Sequence, residues 1–273
     1  DGGEVVVAAV SAVGVAPAIS ARLEHELAVL RGCSSPHLVS LTHAGRAEDL
    51  VFVVRPSVPG ITLAARLRAG VVSIPDAVVI ARDLLLGVQA VHDAGLLHLG
   101  VEPGRVIVSE DGGPRAVLTY FGLAAGNRPE AYRDVPVALA RYTSPEEAGL
   151  LRDRVDERSD LYSVGAVLFE CLCGRPLFDG ATVNEVLRQH VSAQRPEVLR
   201  QRAEVPRALE QVVARLVRTE PRERYPSAES AAADLTQILD ALLRGDEPQI
   251  IAFTPGARGT TLAEPEFIGR EAE

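Results

Sequence analysis

The stretch that decides the fold is residues 142–178, which begin with YTSPEE and end with DERSDLYSVGAVLFECLCGRPLF. From Asp160 to Cys173 the residues are apolar on nearly every side of a helix, a pattern that predicts a buried central helix. Gly174 and Pro176 end this helix, because glycine favours the left-handed conformation after a helix and proline cannot continue one. We therefore expect a large helical core around residues 160–173.

The second part of the chain is predicted to be mainly helical. Apolar residues recur at helical spacing over 76–95, 209–216 and 227–245, and serine, proline or glycine marks the ends of two of these segments. Residues 105–119 predict a hairpin with its turn at Asp111-Gly112-Gly113. Residues 122–142 lack periodicity and predict a long loop, which inside a compact domain is usually functional.

The first part of the chain is predicted to be rich in strands. Glu4–Val10 is a valine-rich strand, and 21–31 is a helix with leucines on one face. Residues 37–43 and 50–54 are expected to form a strand pair joined by a turn at 44–49. The chain as a whole is therefore predicted to be α+β.

Three units follow from this division. Residues 1–55 form the β-rich unit and residues 56–245 the larger helical unit. Residues 246–273 are rich in glycine, proline and threonine and are expected to be a linker.

The composition is that of an ordinary globular protein, with 47% hydrophobic and 24% charged residues. The formal net charge of −9 argues against a nucleic-acid partner, because phosphate binding requires a basic surface. Three cysteines are too few for a disulfide framework and favour a reducing compartment. No stretch is long and apolar enough for a membrane span, so we expect a cytoplasmic protein.

Two residue types are missing altogether. All 28 basic residues are arginine, and the sequence has no methionine. The absence of lysine excludes every mechanism that needs a lysine side chain. Because no initiator methionine is present, we expect Asp1 to be a cut within a longer protein.

Several short elements, in a fixed order and spacing, carry a family resemblance. These elements are 26–30 with 35–39, 142–146, 158–165, 172–178 and 220–225. Through them the chain resembles, over residues 4–244, the bacterial Ser/Thr protein kinases. In the D-P-x-x-R-[FY] element of that family, Glu220 replaces the aspartate.

The resemblance implies a bilobal, protein-kinase-like α+β fold. The small N-terminal lobe would be β-rich and the larger C-terminal lobe mainly helical. We expect the small lobe to be truncated at its start, because the glycine-rich loop of the family has no counterpart in this sequence.

The resemblance also implies where the catalytic groups would lie, and this chain departs from the family at each position. Val10 replaces the lysine that holds the α- and β-phosphates of ATP. In the catalytic loop, Gly100 replaces the aspartate that orients the substrate hydroxyl, Glu102 replaces a lysine, and Arg105 replaces the asparagine that binds Mg²⁺. Tyr120 replaces the metal-binding aspartate of the D-F-G triplet. We assign no catalytic residue and no metal ligand.

Residues that the resemblance gives a structural role are retained. Leu30, Leu41, His98 and Phe121 match the stacked hydrophobic side chains that join the two lobes. Asp160 matches the carboxylate that anchors the backbone of the catalytic loop. A scaffold that is kept while the reacting groups are lost is typical of a pseudokinase.

Four further positions complete this structural set. Glu146 and Arg224 match a buried ion pair of the large lobe, and Gly122 is the retained glycine of the D-F-G triplet. Glu26 matches the glutamate of the small-lobe helix. Since the lysine it would pair with is absent, we expect Glu26 to pair with an arginine or to turn to solvent.

The nucleotide pocket is predicted from the same resemblance. Ala8, Val54, Arg55 and Ile107 occupy positions that would line it, with Val54 and Arg55 at the hinge. We expect no resident cofactor. Binding of ATP without Mg²⁺ stays open as an alternative. Arg105 would then contact a phosphate, which a guanidinium group matches well.

The end of the chain suggests a partner. Residues 265–271, PEFIGRE, resemble the entry to AAA-type signalling ATPases, which in bacterial fusions follow a kinase lobe. We therefore expect an attached or partner signalling protein, with an AAA-type ATPase domain in the same chain.

Three interpretations of the function remain open. The chain is either a regulatory pseudokinase module or an active enzyme with non-standard residues. An active enzyme would be a Ser/Thr kinase or a nucleotidyl transferase, with Glu102 and Arg105 as catalytic candidates. A third interpretation is a structural domain with a collapsed cleft.

Overall fold

The computed structural model of the chain describes residues 4–11, 26, 28–47, 50–109, 115–119 and 137–249. The N-terminal part is a three-stranded antiparallel sheet in the order β1-β3-β2. Its central strand is mostly apolar, as expected for a strand with neighbours on both sides. The strands are β1 (Val5–Ser11), β2 (His43–Ala47) and β3 (Leu50–Pro56).

One strand prediction was wrong. The strand that pairs with β3 begins at His43, so residues 37–42 are not part of it. Residues 37–39 instead pair with a strand of the second sheet: the Val39 N–H donates to the Leu118 carbonyl at 2.8 Å, and the Leu118 N–H donates to the His37 carbonyl at 2.9 Å. The apolar run at 37–41 therefore connects the two parts of the molecule.

The second sheet has the order β4-β5-β6 and is also antiparallel. Its strands are β4 (Ile61–Thr62), β5 (Val106–Ser109) and β6 (Arg115–Leu118). The predicted hairpin is thus present, and its turn lies outside the described residues. A 3-10 turn at Pro103–Arg105 leads into β5.

The predicted helices of the C-terminal part are present, and the longest of them, α2, shows the expected end signals. The Ser73 hydroxyl caps α2 by accepting from the Asp76 N–H at 3.2 Å, and Gly95 follows the helix with φ 75°. The helices are α1 (Leu63–Arg68), α2 (Ile74–Asp93), α3 (Val137–Ala140), α4 (Glu157–Cys173), α5 (Val183–Ser192), α6 (Arg207–Leu216) and α7 (Ala228–Arg244).

The long-loop prediction needs a correction at its C-terminal end. Residues 137–140 form the short helix α3, whose Ala140 is fully buried against α5. Packing on α5 supplies the apolar contacts that the irregular sequence did not reveal. Residues 120–136 lie outside the described part of the chain. Helices α1 and α5 were also not predicted.

Helix α4 lies at the centre of the core, as predicted. Thirteen of its residues are buried, and it contacts both α2 and α6. Gly165 allows the close approach of α6, since a Cβ there would lie 2.6 Å from the Leu216 Cβ. Gly174 ends the helix in the left-handed conformation with φ 71°. In the described part of the chain, no helix has the length and hydrophobicity of a membrane-spanning segment.

Candidate functional site

The candidate site is built on residues 98–105, between α2 and β5. Asp160, near the N-terminus of α4, is fully buried and organises this segment. Its carboxylate accepts from the His98 N–H at 2.9 Å and from the Leu99 N–H at 2.7 Å, and it lies 2.8 Å from the His92 Nε2. Leu99 has φ 47°, a left-handed conformation that is unfavourable for leucine. The two hydrogen bonds from Asp160 hold the backbone in that conformation.

Gly100, Glu102 and Arg105 form an internal polar cluster. The Arg105 Nε lies 3.1 Å from the Glu102 Oε1, and its Nη1 donates to the Gly100 carbonyl at 3.3 Å. The Arg105 carbonyl in turn accepts from both the N–H and the hydroxyl of Thr119, at 2.9 and 2.8 Å. Arg105 is therefore fixed within the loop at both its side chain and its backbone.

This cluster does not fit a Mg²⁺ ion. Magnesium requires carboxylate and phosphate oxygens around it. Glu102 is the one carboxylate of the cluster, and it already faces the guanidinium group of Arg105. Among the described residues, no group of three or more His, Cys, Asp or Glu side chains could hold a metal ion.

The other degenerate positions are placed less completely. Val10 lies in β1 opposite Val51, and Ala8 lies opposite Val53, but the structure does not describe their side chains. Tyr120, the fifth degenerate position, lies outside the described residues. Phe121 and Gly122 lie outside them as well.

The remaining residues of the predicted hydrophobic stack are buried. Leu30 is 3% exposed, Leu41 is 7% exposed and His98 is 1% exposed. Glu26 is half-buried in a helical segment. Leu30, Leu41 and His98 therefore lie in the interior.

Two of the predicted nucleotide-pocket residues, Val54 and Arg55, have hydrogen-bond partners within the protein. The Val54 carbonyl accepts from both the N–H and the hydroxyl of Thr42, at 2.9 and 3.0 Å, so both of its lone pairs are used within the protein. The Arg55 Nη1 donates to the Pro56 carbonyl at 3.2 Å, and burial lowers the pKa of Arg55. Ile107 instead lines a cavity of about 510 Å³ to which Val54 and Arg55 do not contribute.

The ion pair of the large lobe is bidentate and fully buried. Arg224 Nη1 donates to Glu146 Oε1 at 2.6 Å, and Nη2 donates to Oε2 at 2.8 Å. The Ser159 hydroxyl also donates to Glu146. Burial by itself would raise the pKa of Glu146, but the hydrogen bond and charge of Arg224 outweigh it and the pKa is lowered. The carboxylate is therefore ionised in the folded protein.

One interaction beside the site was missed by sequence reasoning. The Tyr142 hydroxyl donates to the Glu170 carboxylate at 2.5 Å, and Tyr142 is 6% exposed. Burial raises the pKa of Glu170, with the hydrogen bond from Tyr142 opposing it. The signal that could have revealed the pair is the single acidic residue in the apolar part of α4. Thr143 is also buried, and its hydroxyl donates to the Leu139 carbonyl at 3.1 Å.

A sequence profile of the protein kinase domain matches residues 3–237. The chain belongs to the protein kinase domain family. Two similar proteins are the serine/threonine-protein kinase PrkC of Bacillus subtilis and PknE of Mycobacterium tuberculosis. PrkC is 27% identical over 225 residues, which is 81% of this chain and 34% of PrkC. PknE is 29% identical over 259 residues, which is 89% of this chain and 45% of PknE.

The fold agrees with solved kinase domains. The crystal structure of the Mycobacterium tuberculosis PknI kinase domain superposes with a TM-score of 0.69 at 21% identity, covering 86% of each chain. The predicted α+β fold, with a small strand-rich lobe and a larger helical lobe, is confirmed. The chain spans less than half the length of the curated relatives named above.

Proposed function

We propose that this kinase-fold domain is a pseudokinase, which acts in signalling through its contacts with other domains and not by transferring phosphate. The observation that carries the proposal is the Glu102–Arg105 cluster. Gly100 offers no side chain to orient a substrate hydroxyl, and Arg105 occupies the position at which the family binds a metal. A positioned base contributes roughly 10²–10⁴-fold to a rate, and metal ions contribute further stabilisation of the phosphates. Losing both would leave little phosphoryl transfer.

The contacts that stabilise the fold support the same proposal. Asp160 still holds the catalytic-loop backbone, and Glu146 and Arg224 still form their buried pair. Neither arrangement reacts chemically, and both maintain the shape of the large lobe. A domain that functions as a binding module would keep these contacts without the reacting groups.

Nucleotide binding would take place without a metal ion. The Arg105 side chain is 22% exposed and Glu102 is 20% exposed, so solvent and ligands can reach their pair. A phosphate can replace Glu102 as the partner of the guanidinium group. Arg binds both the planar carboxylate and the tetrahedral phosphate through two parallel hydrogen bonds. The domain would then sense ATP without hydrolysing it.

The partner we propose is an AAA-type ATPase domain in the same chain. Residues 265–271, which carry that resemblance, lie outside the described residues. Helix α7 packs along α2, which leads into the catalytic loop, and residues 246–249 follow α7 directly. The two lobes would adopt two arrangements that contact the attached domain differently. A shift between these arrangements would then favour one state of that domain.

An active enzyme is the alternative, and Glu102 is the observation that favours it. It is a partly exposed carboxylate in the catalytic loop, where a displaced base would lie. In that case the ion pair between Glu102 and Arg105 would have to break during turnover, so that the carboxylate could accept a proton.

Transfer of radiolabelled phosphate from ATP distinguishes the two functions. The intact protein is incubated with ATP and either Mg²⁺ or Mn²⁺, and labelling is measured on the protein itself and on a general basic protein substrate. We expect no labelling above that of the Glu102→Gln variant. Labelling that requires a divalent metal and disappears in Glu102→Gln would overturn the pseudokinase proposal.

Thermal unfolding tests the nucleotide mode separately. A ligand at 100 times its dissociation constant adds about 2.7 kcal/mol to the free energy of unfolding, which is readily measured. We expect ATP to raise the melting temperature equally with Mg²⁺ and with EDTA, and Arg105→Ala to remove the shift. Arg68→Ala, at an exposed arginine of α1, is the control. A shift that requires Mg²⁺ would contradict this binding mode.

A further inference from the structure

A cavity lies between the two chain segments that connect the lobes. One wall is segment 35–40, the other is segment 56–59, and the floor is the outward face of β5 and β6. Its volume is about 510 Å³, which is within the range of small-molecule sites. It is separate from the polar cluster of the catalytic loop, since neither Glu102 nor Arg105 lines it.

Most of the lining residues are apolar, and the polar ones besides Arg115 are Ser35, Ser40 and Ser109. Pro36, Pro56 and Pro59 contribute to the two walls, and proline has no backbone N–H. Ile107 and Val117 form the floor. A ligand of this cavity would therefore be held mainly by the burial of apolar surface.

Arg115 is the one charged residue among the described residues that line the cavity. Its Nη2 donates to the Pro36 carbonyl at 2.8 Å, which fixes the guanidinium group at the wall. Within the part of the chain that the structure describes, no carboxylate forms an ion pair with Arg115. Among the residues that the structure describes, the cavity thus combines mainly apolar walls with one positive charge that has no carboxylate partner.

The walls are held in place without a ligand. The Val39–Leu118 and Leu118–His37 hydrogen bonds attach the first wall to β6, and the Ser57 N–H donates to the Glu4 carbonyl at 2.9 Å in the second. Behind the first wall, the buried Asp83 accepts from the Ala116 N–H at 3.1 Å. A preformed site loses little conformational entropy when it binds a ligand.

We propose that this cavity binds a small amphiphilic carboxylate, with its apolar body between the walls and its carboxylate on Arg115. One guanidinium group matches one carboxylate in a bidentate arrangement. This site differs in chemistry from the proposed nucleotide site, because most of its lining residues are apolar, whereas Arg105 faces Glu102 in a polar loop. The ligand would touch both connections between the lobes and so stabilise one lobe arrangement.

The test uses octanoate as the probe and octan-1-ol as its uncharged counterpart. Amide chemical shifts of the intact ¹⁵N-labelled protein are followed at pH 7, with octanoate below its micelle-forming concentration. We expect saturable shifts at the wall and floor segments 35–40, 56–59, 107–109 and 115–117. We also expect octanoate to bind about 10-fold more tightly than octan-1-ol, as one charge-assisted contact provides.

Three variants separate the two parts of the site. Arg115→Gln should weaken octanoate about 10-fold and leave octan-1-ol unchanged within about twofold. Val117→Phe, which fills the floor, should weaken both probes. Arg68→Gln, at the exposed arginine of α1, is the matched control and should bind both probes like the parent protein. Melting curves confirm that each variant is folded.

Two outcomes would overturn the proposal. One is equal affinity for octanoate and octan-1-ol in the parent protein, which would mean that Arg115 does not bind the carboxylate. The other is the absence of saturable shifts at the four segments, including the case in which shifts appear elsewhere. Neither outcome depends on phosphate transfer or on ATP binding, so the proposed function is tested independently.

Discussion

The buried carboxylate of Asp160 accepts a 2.7 Å hydrogen bond from the N–H of Leu99, a residue held in the left-handed conformation at φ 47°. That conformation costs roughly 1–2 kcal/mol for a residue with a side chain. The hydrogen bond and its neighbour from His98 offset this cost. The catalytic-loop backbone is thus maintained by a residue 61 positions away in sequence.

Asp160→Asn should destabilise the protein strongly. The amide replaces one acceptor oxygen with a donor, which would face the N–H of either His98 or Leu99 in a fully buried site. We expect a loss of roughly 2–4 kcal/mol in the free energy of unfolding, measured by urea denaturation. Asp179→Asn is the control, because Asp179 pairs with Arg141 on the surface and the loss should stay within about 1 kcal/mol. Equal losses in the two variants would contradict the anchoring role of Asp160.

Breaking the buried Glu146–Arg224 pair should also be costly. Glu146→Gln leaves the guanidinium group of Arg224 buried without its counter-charge, so we expect a loss of about 3–5 kcal/mol. The double variant Glu146→Leu with Arg224→Met should recover part of that loss, because it buries no charge. Urea denaturation measures both. The exposed Arg200–Glu197 pair is the control, and Glu197→Gln should change stability by less than about 1 kcal/mol.

His190 should make the stability depend on pH. Burial lowers the pKa of His190 from an ordinary 6.5 to about 4, and its Nδ1 lies 2.6 Å from the Tyr162 hydroxyl. Between these pH values the unfolded chain binds a proton at His190 and the folded protein does not. The folded state is therefore favoured less as the pH falls from 6.5 towards 4, by roughly 3 kcal/mol in total.

The variant His190→Gln isolates this contribution. The difference in unfolding free energy between the parent protein and the variant should be constant above pH 7. This difference should decrease as the pH falls from 6.5 to 4, because the unfolded parent chain binds a proton at His190 and the variant has no such group. Carboxylates that titrate in the same range contribute equally to both proteins and cancel. A difference that stays constant down to pH 4 would show that His190 is protonated in the folded state.

Gly87→Ala provides a test of the connection between the lobes. Alanine improves helix propensity by about 1 kcal/mol. At this position, however, a Cβ would lie 2.6 Å from the His37 carbonyl, so either α2 or segment 35–39 must move. We expect a net loss of about 1–3 kcal/mol by urea denaturation. Gly104→Ala, whose nearest neighbours lie at 3.7 Å, should change stability little. A more stable Gly87→Ala protein would show that segment 35–39 can move away from the new Cβ at little cost in free energy.

Much of the large lobe could be predicted from local signals. The Ser73 cap, the apolar run of α4 and the left-handed Gly174 are each specified by neighbouring residues. The roles of Asp160, Glu146 and Arg224 came from a family resemblance, since no local pattern places a carboxylate beside residues far along the chain. The distances that now describe these groups come from the structure alone.

The errors have a common physical origin. The run at 37–41 is apolar, and so a strand next to β3 was a reasonable prediction. Its backbone groups instead find partners on β6, across the junction between the lobes. Helix α3 was missed because four residues carry too little periodicity, and packing on α5 determines it. Tertiary contacts decided both cases.

The attachment of segment 35–39 to β6 limits how the two lobes can move. The chain crosses between the lobes at 56–60, and segment 35–39 of the small lobe is hydrogen-bonded to β6, so the lobes are joined at two places by backbone hydrogen bonds or close backbone packing. Two fixed points define a single axis. We therefore expect relative motion of the lobes to be mainly rotation about that axis, because sliding or twisting of one lobe across the other would require these hydrogen bonds to break.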